Sequence, residues 1–262
     1  MSFLKKILAE KQSEVAMLRG RYTESDFSNS PFYNKPTLSL INEIQNSACP
    51  VLIAEVKKAS PSKGLLRENF NHIDIARSYF AGGASAISVL TDRKFFQGDI
   101  SFLTDIAEFK TKPILRKDFI IDDCQILEAR AAGADAILLI SEAMTTEKIA
   151  SLTKCAHRLG LEVLLELHSI DQLNKIDFSL NRLIGVNNRN LRTFETNIET
   201  TLTARKELPP DILLVSESGI AGRDAVHRVI DAGCDAVLVG EHFMRQENID
   251  AALAEFMGWL DY

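Results

Sequence analysis

Where the apolar run Val51-Leu52-Ile53-Ala54 gives out, the chain places Glu55 and Lys57 two residues apart, then a turn of Ser60, Pro61, Ser62 and Gly64. Side chains alternate along a strand, so this carboxylate and ammonium are expected to share a face just before the turn. The pattern recurs downstream. Pro113-Ile114-Leu115 runs into Arg116-Lys117-Asp118-Phe119, residues 161–165 into Glu166, and Leu183-Ile184-Gly185-Val186 into Asn187-Asn188-Arg189-Asn190. Residues 212–215 run into Ser216-Glu217-Ser218-Gly219, and Val237-Leu238-Val239 into Gly240-Glu241. Lysines and carboxylates gathered at one mouth suit proton transfer, because each tunes the protonation of the other. Glu166 is the most telling, since a carboxylate that ends a continuous apolar strand needs a cation, a donor or water. Ser218-Gly219 and Gly240 suit a phosphate, which backbone N–H groups can approach closely at glycine, and Ser60 offers a further donor. Quieter readings exist for each. Glu55 and Lys57 could be an ordinary ion pair at a strand end, residues 116–118 a solvated loop, and residues 187–190 and the glycines simple turns.

The elements that must position these groups are announced by an internal repeat. Ala81-Gly82-Gly83-Ala84-Ser85-Ala86-Ile87 resembles Ala131-Ala132-Gly133-Ala134-Asp135-Ala136-Ile137 and Asp231-Ala232-Gly233-Cys234-Asp235-Ala236-Val237. The aligned glycines stand 50 and then 100 residues apart, and each copy reads as a helix end, a closing glycine and a short buried strand. Other apolar strands fall between the copies, which makes eight from Val51 onward, with helical patterns between them such as residues 73–80 and 149–159. Eight such units predict an α/β fold, a (β/α)8 TIM barrel, in which ligands bind at the carboxyl ends of the strands. A doubly wound open sheet is the competing architecture, but no G-x-G-x-x-G or Walker sequence is present. Leu4, Ile7, Leu8, Val15 and Leu18 recur at helical spacing, so an amphipathic helix opens the chain and is expected to lid one end of the barrel. Residues 25–36 read as a loop and 37–44 as a short helix. Residues 1–48 therefore form a helical extension and 49–262 the barrel, within one domain.

Composition narrows the function. With 262 residues, 46% hydrophobic and 25% charged, the chain has the balance of a globular protein, and its net charge of −6 gives no reason to expect nucleic acid or an anionic membrane as partner. Cys49, Cys124, Cys155 and Cys234 are widely spaced, which suggests neither disulfides nor zinc; no metal and no cofactor are expected. Charged residues interrupt the first 22 positions, so no signal peptide is predicted, no run is long enough to span a bilayer, and a cytoplasmic location is expected. His72, His157, His168, His227 and His242 pair with no nucleophile and are set aside as structural.

The strand-end segments, in this order, resemble the indole-3-glycerol phosphate synthase family of tryptophan biosynthesis. The matching stretches are IAEVKKASPSKG (53–64), SVLTDRKFFQG (88–98), ILRKDF (114–119), LLEL (164–167), GVNNRNL (185–191) and VSESGI (215–220). The resemblance implies ring closure, decarboxylation and dehydration of 1-(o-carboxyphenylamino)-1-deoxyribulose 5-phosphate, a phosphorylated small molecule. By the same resemblance Lys117 is the general acid at the C2 carbonyl, Lys57 holds the substrate carboxylate and assists, and Glu55 orients them. Glu166 is the base for dehydration, Asn187 orients substrate, and Ser218 belongs to the same catalytic mouth with Glu217. Ser60, Gly219 and Gly240, with Glu241 beside them, take the phosphate; Arg189 meets the anthranilate carboxylate; Phe96, Phe119, Leu138 and Leu191 enclose the ring. One departure is His242, where relatives carry a small residue. The fused isomerase of some relatives is expected to be absent, and association with other pathway enzymes has no signature. Two rivals remain: a class I aldolase with Lys57 or Lys117 forming a Schiff base, and a barrel that only binds phosphorylated metabolites.

Overall fold

In a computed structural model, which describes residues 3–190 and 193–261, eight parallel strands close into a barrel. They are β1 (Val51–Val56), β2 (Ala86–Leu90), β3 (Ile114–Lys117), β4 (Ala136–Ile140), β5 (Glu162–Leu167), β6 (Leu183–Asn187), β7 (Leu213–Glu217) and β8 (Ala236–Val239). Each strand pairs with its sequence neighbours, and β8 returns to β1 with Val51 opposite Ala236. Ahead of the barrel come α1 (Phe3–Arg21), α2 (Glu24–Ser28) and α3 (Leu40–Gln45). Around it lie α4 (His72–Ala81), α5 (Arg93–Phe96), α6 (Ile100–Ala107), α7 (Asp123–Ala132), α8 (Thr146–Arg158), α9 (Glu199–Glu207), α10 (Arg223–Asp231), α11 (Glu241–Met244) and α12 (Ile249–Leu260).

The repeat has a physical cause in two of its positions. Gly83, Gly133 and Gly233 all adopt left-handed φ, near +91°, +92° and +86°, which closes α4, α7 and α10 at little cost. In the second and third copies the aspartate ahead of the new strand then ties it to the start of the preceding one. Asp135 accepts a hydrogen bond from Ile114 N at 2.8 Å, and Asp235 one from Leu214 N at 2.7 Å.

Three expectations need correction. Residues 25–36 are not wholly loop, because Thr23 and Asp26 form a reciprocal cap that starts α2. The fifth crossover carries no α-helix; the segment Ile170–Lys175 makes a 3-10 turn instead. Several strands run further than their apolar residues, so Glu55, Lys117 and Glu217 lie inside β1, β3 and β7 rather than beyond them.

The extension touches both ends of the barrel. Leu40 and Ile44 of α3 join Val51, Leu183 and Ala236, at the strand starts, in one apolar cluster that closes the bottom. Ser39 Oγ and Ile41 N donate to Glu162 at 2.5 and 2.9 Å, which seats α3 against the start of β5. At the other end, α1 crosses the mouth. Its Lys11, only 2% exposed, places Nζ 2.9 Å from Asp92 and 2.8 Å from Asp118, in the loops after β2 and β3.

Candidate active site

Alternate strands build one ionisable layer. Glu55 on β1, Lys117 on β3, Glu166 on β5 and Glu217 on β7 each stand two residues beyond an interior apolar side chain, namely Ile53, Leu115, Leu164 and Val215. Period-two alternation turns all four inward, at the level nearest the carboxyl ends. Lys117 Nζ donates to Glu166 Oε2 at 2.7 Å and to Glu217 Oε2. Lys57 reaches back to Glu55, so these two are a largely buried pair and not an exposed strand-end contact.

Electrostatics decide how this layer is protonated. Three carboxylates face two ammonium groups in a largely buried layer, so one negative charge is in excess and burial favours its removal. Burial and the like charge of Glu166 push the Glu217 carboxyl up to about 8, against the pull of Lys117. Burial opposes the Glu166 charge too, but Lys117 and His168 hold that carboxyl well below its usual range. Lys117 pays the same burial cost, yet Glu166, Glu217 and Glu55 carry its ammonium well above its ordinary value. Around neutral pH these shifts leave Lys117 as the ammonium, Glu166 as the carboxylate and the extra proton on Glu217. Two glycines make room for it: a Cβ at Gly185 would sit 2.2 Å from Glu217 Oε1, and one at Gly240 2.4 Å from Glu55 Oε2.

Above the layer opens a cavity of about 570 Å³, within the range of small-molecule sites. Its two sides differ. Ser60, Ser218, Gly219 and Gly240 line it from the loops after β1, β7 and β8; Phe96, Phe119, Leu138 and Ile140 line it from β2, β3 and β4. Ser218 has φ +66°, a conformation that costs a non-glycine residue energy, and Gly219 follows at +77°. Asn188 holds that turn by donating to Ser218 O at 3.1 Å and Ser216 Oγ at 3.0 Å. Ser60 Oγ, in the hairpin of residues 59–60 and 64–65, is buried with no partner. Phe96 and Phe119 pack with centroids 6.2 Å apart.

Most of the candidate residues from the sequence therefore meet in one place: Glu55, Lys57, Ser60, Phe96, Lys117, Phe119, Leu138, Glu166, Asn187, Arg189, Glu217, Ser218, Gly219, Gly240 and Glu241 all line the cavity. Leu191 lies outside the described residues. Residues 116–118 are buried, so the solvated-loop reading is wrong. Arg116 turns outward beneath α7, donating to Gln125 O at 2.8 Å and Glu128 at 2.7 Å. Arg189 is paired with Glu241 at 3.2 Å and donates to Ser62 Oγ at 3.1 Å. His242 lines the cavity, but its ring packs among Phe243, Phe256 and Trp259, and burial lowers its pKa. Sequence reasoning missed Phe3 and Ile7 of α1 and Phe194, which also line the cavity. The apolar stripe of α1 was the available signal, but nothing in it said which end of the barrel it covers.

A family model described as indole-3-glycerol phosphate synthase matches residues 4–256. The chain belongs to the indole-3-glycerol phosphate synthase family. Relatives of that name from Burkholderia vietnamiensis and Burkholderia ambifaria are each 47% identical over 253 residues, covering 96% of this chain and 97% of theirs. Membership brings the activity: the chain is a carboxy-lyase of tryptophan biosynthesis that forms indole-3-glycerol phosphate. Among solved structures, 3-hexulose-6-phosphate synthase from Salmonella typhimurium superposes with a TM-score of 0.66 at 14% identity, over 80% of this chain and 98% of its own. Thiamine phosphate pyrophosphorylase from Pyrococcus furiosus gives 0.61 at 16% identity, over 85% and 98%. At such identities these two share the barrel alone. Among the described residues no helix is long and apolar enough to cross a membrane.

Proposed function

We propose that Lys117 is the general acid of the ring closure and that the ionisable layer around it divides the remaining proton work. The observation that carries this reading is the burial of the Lys117 ammonium between Glu166 and Glu217 beneath a cavity with one polar and one aromatic side. The anthranilate ring would lie against Phe96, Phe119 and Leu138, and the phosphate against Ser60, Gly219, Gly240 and the backbone at Glu241. The arene carbon then attacks the ribulose C2 carbonyl, whose oxygen takes a proton from Lys117. Loss of CO2 restores the aromatic ring. Lys57, braced by Glu55, holds the substrate carboxylate up to that point, and Asn187 and Ser218 orient the ribulose hydroxyls. Arg189 can assist the carboxylate only by leaving Glu241. In the last step the C2 hydroxyl departs with a proton and Glu166 removes a proton from C1.

The rival Schiff-base chemistry needs a neutral amine, which a depressed pKa supplies. Lys117 is displaced in the opposite direction, which favours the acid reading. The four free cysteines are compatible with a reducing, cytoplasmic setting. The deciding experiment follows indole fluorescence after the carboxyphenylamino-deoxyribulose phosphate is mixed with wild type and with Glu166→Gln. Product from the wild type and a loss of orders of magnitude in the variant are expected. Equal rates would remove Glu166 from the chemistry.

A further inference from the structure

Glu166 offers its two oxygens to two different basic side chains. Oε2 takes the Lys117 hydrogen bond at 2.7 Å, while Oε1 lies 3.1 Å from His168 Nε2. The other ring nitrogen, Nδ1, lies 3.4 Å from Glu142 Oε2, on the 3-10 turn Ser141–Ala143 that follows β4. His168 is not part of the cavity wall; it stands behind Glu166, its side chain 6% exposed. Both ring nitrogens are sealed from solvent, and among the described residues neither has an aligned hydrogen-bond partner, so these two carboxylates are what compensates the buried ring. Glu142, by contrast, is 43% exposed. A carboxylate, an imidazole and a second carboxylate thus run in line from the surface to the back of the mouth.

We propose that His168, braced by Glu142, is a positioning residue for Glu166, holding Oε1 from behind and keeping the carboxylate ionised for proton abstraction. The inference rests on the reading of Glu166 as the base of the dehydration step. The charged groups that face the ring are Glu166 from β5, Glu142 after β4 and Glu217 from β7, with Lys117 beyond Glu166. Lys175 stands nearby, its ammonium 3.5 Å from Ser141 O and 3.4 Å from Met144 O. Burial disfavours the imidazolium, but Glu166 and then Glu142 outweigh it and raise the ring's pKa. A cation so placed lowers the pKa of Glu166. Its removal must raise that pKa, and the acid limb of the rate profile then moves to higher pH.

The test is a single turnover in which CO2 release and indole fluorescence are timed separately, with pH profiles of kcat alongside. In His168→Phe, CO2 release is expected to run ahead of indole formation, which slows about tenfold to a hundredfold, while KM changes little. His168→Gln restores an N–H donor without the charge, so part of the rate returns but the acid limb stays displaced. Glu142→Gln, exposed and harmless to folding, moves the limb the same way by less, and adds nothing when His168 is already replaced. Glu166→Gln is the control: if CO2 and indole stay in step there, the base reading of Glu166 itself fails. If that control lags, but the His168→Gln and Glu142→Gln proteins keep both products in step and the acid limb unmoved, His168 only fills space and the proposal is wrong.

Discussion

At the scale of single residues, the site is governed by where one proton sits. Protonated Glu217 leaves Lys117 hydrogen-bonded to one full negative charge, that of Glu166, and that proton is lost as pH rises through about 8. A second carboxylate charge on the ammonium makes it a poorer acid, so kcat should fall on the alkaline side. Glu217→Gln fixes the neutral form, and the alkaline decline of kcat should disappear from its pH profile; a decline of unchanged position would place the titration elsewhere. Glu217 was legible in the sequence as part of the mouth. Its offset of two from Val215 matches that of Lys117 from Leu115 and Glu166 from Leu164, and that shared register puts it in the same ionisable layer. The surroundings of His168 were hidden for a related reason. Adjacent in sequence to Leu167, it meets Glu142 only because β4 and β5 pair, with Ile140 opposite Glu166.

At the scale of elements, strands were easier to foresee than what lies between them. Buried parallel strands need continuous apolar runs, and the glycines that close the preceding helices mark where those runs begin. The missing fifth helix and α2 escaped because short turns depend on local side-chain bonds that have no periodicity. The attachment of α1 escaped as well, since a lysine on an amphipathic helix normally points to water. Lys11 instead is what holds Asp92 and Asp118 in place, and Asp118 in turn accepts from Phe119 N at 2.8 Å, fixing the aromatic wall. Lys11→Met takes the cation from buried Asp92 and leaves Asp118 to Arg116 and Thr91, so a loss of about 3 kcal/mol is expected, read as a lower denaturant midpoint. Acid has a similar effect. Asp118 is held at about 2, below an unfolded value near 4, so its contribution is present above pH ~4 and lost as pH falls toward 2.

At the scale of the whole molecule, an acidic protein of net charge −6 takes a substrate with three negative charges, and because carboxylates line the mouth beside Lys57, Lys117 and Arg189, individual cation contacts rather than a net positive field must hold it. The feature with the widest consequence is the extension that reaches both ends. The seat of α3 combines Val51 with Leu183 and Ala236, so it is complete only when β8 has paired with β1. On a ribosome, then, the segment synthesised first waits for nearly the whole chain before it can dock. Its exposed apolar stripe is during that interval a liability, and afterwards a latch that registers closure of the ring. In pulse-labelling hydrogen exchange during refolding, Ile41 N, which ends on Glu162, should gain protection after the amides of β4 and β5. Simultaneous protection would mean that the barrel and its latch assemble as one unit.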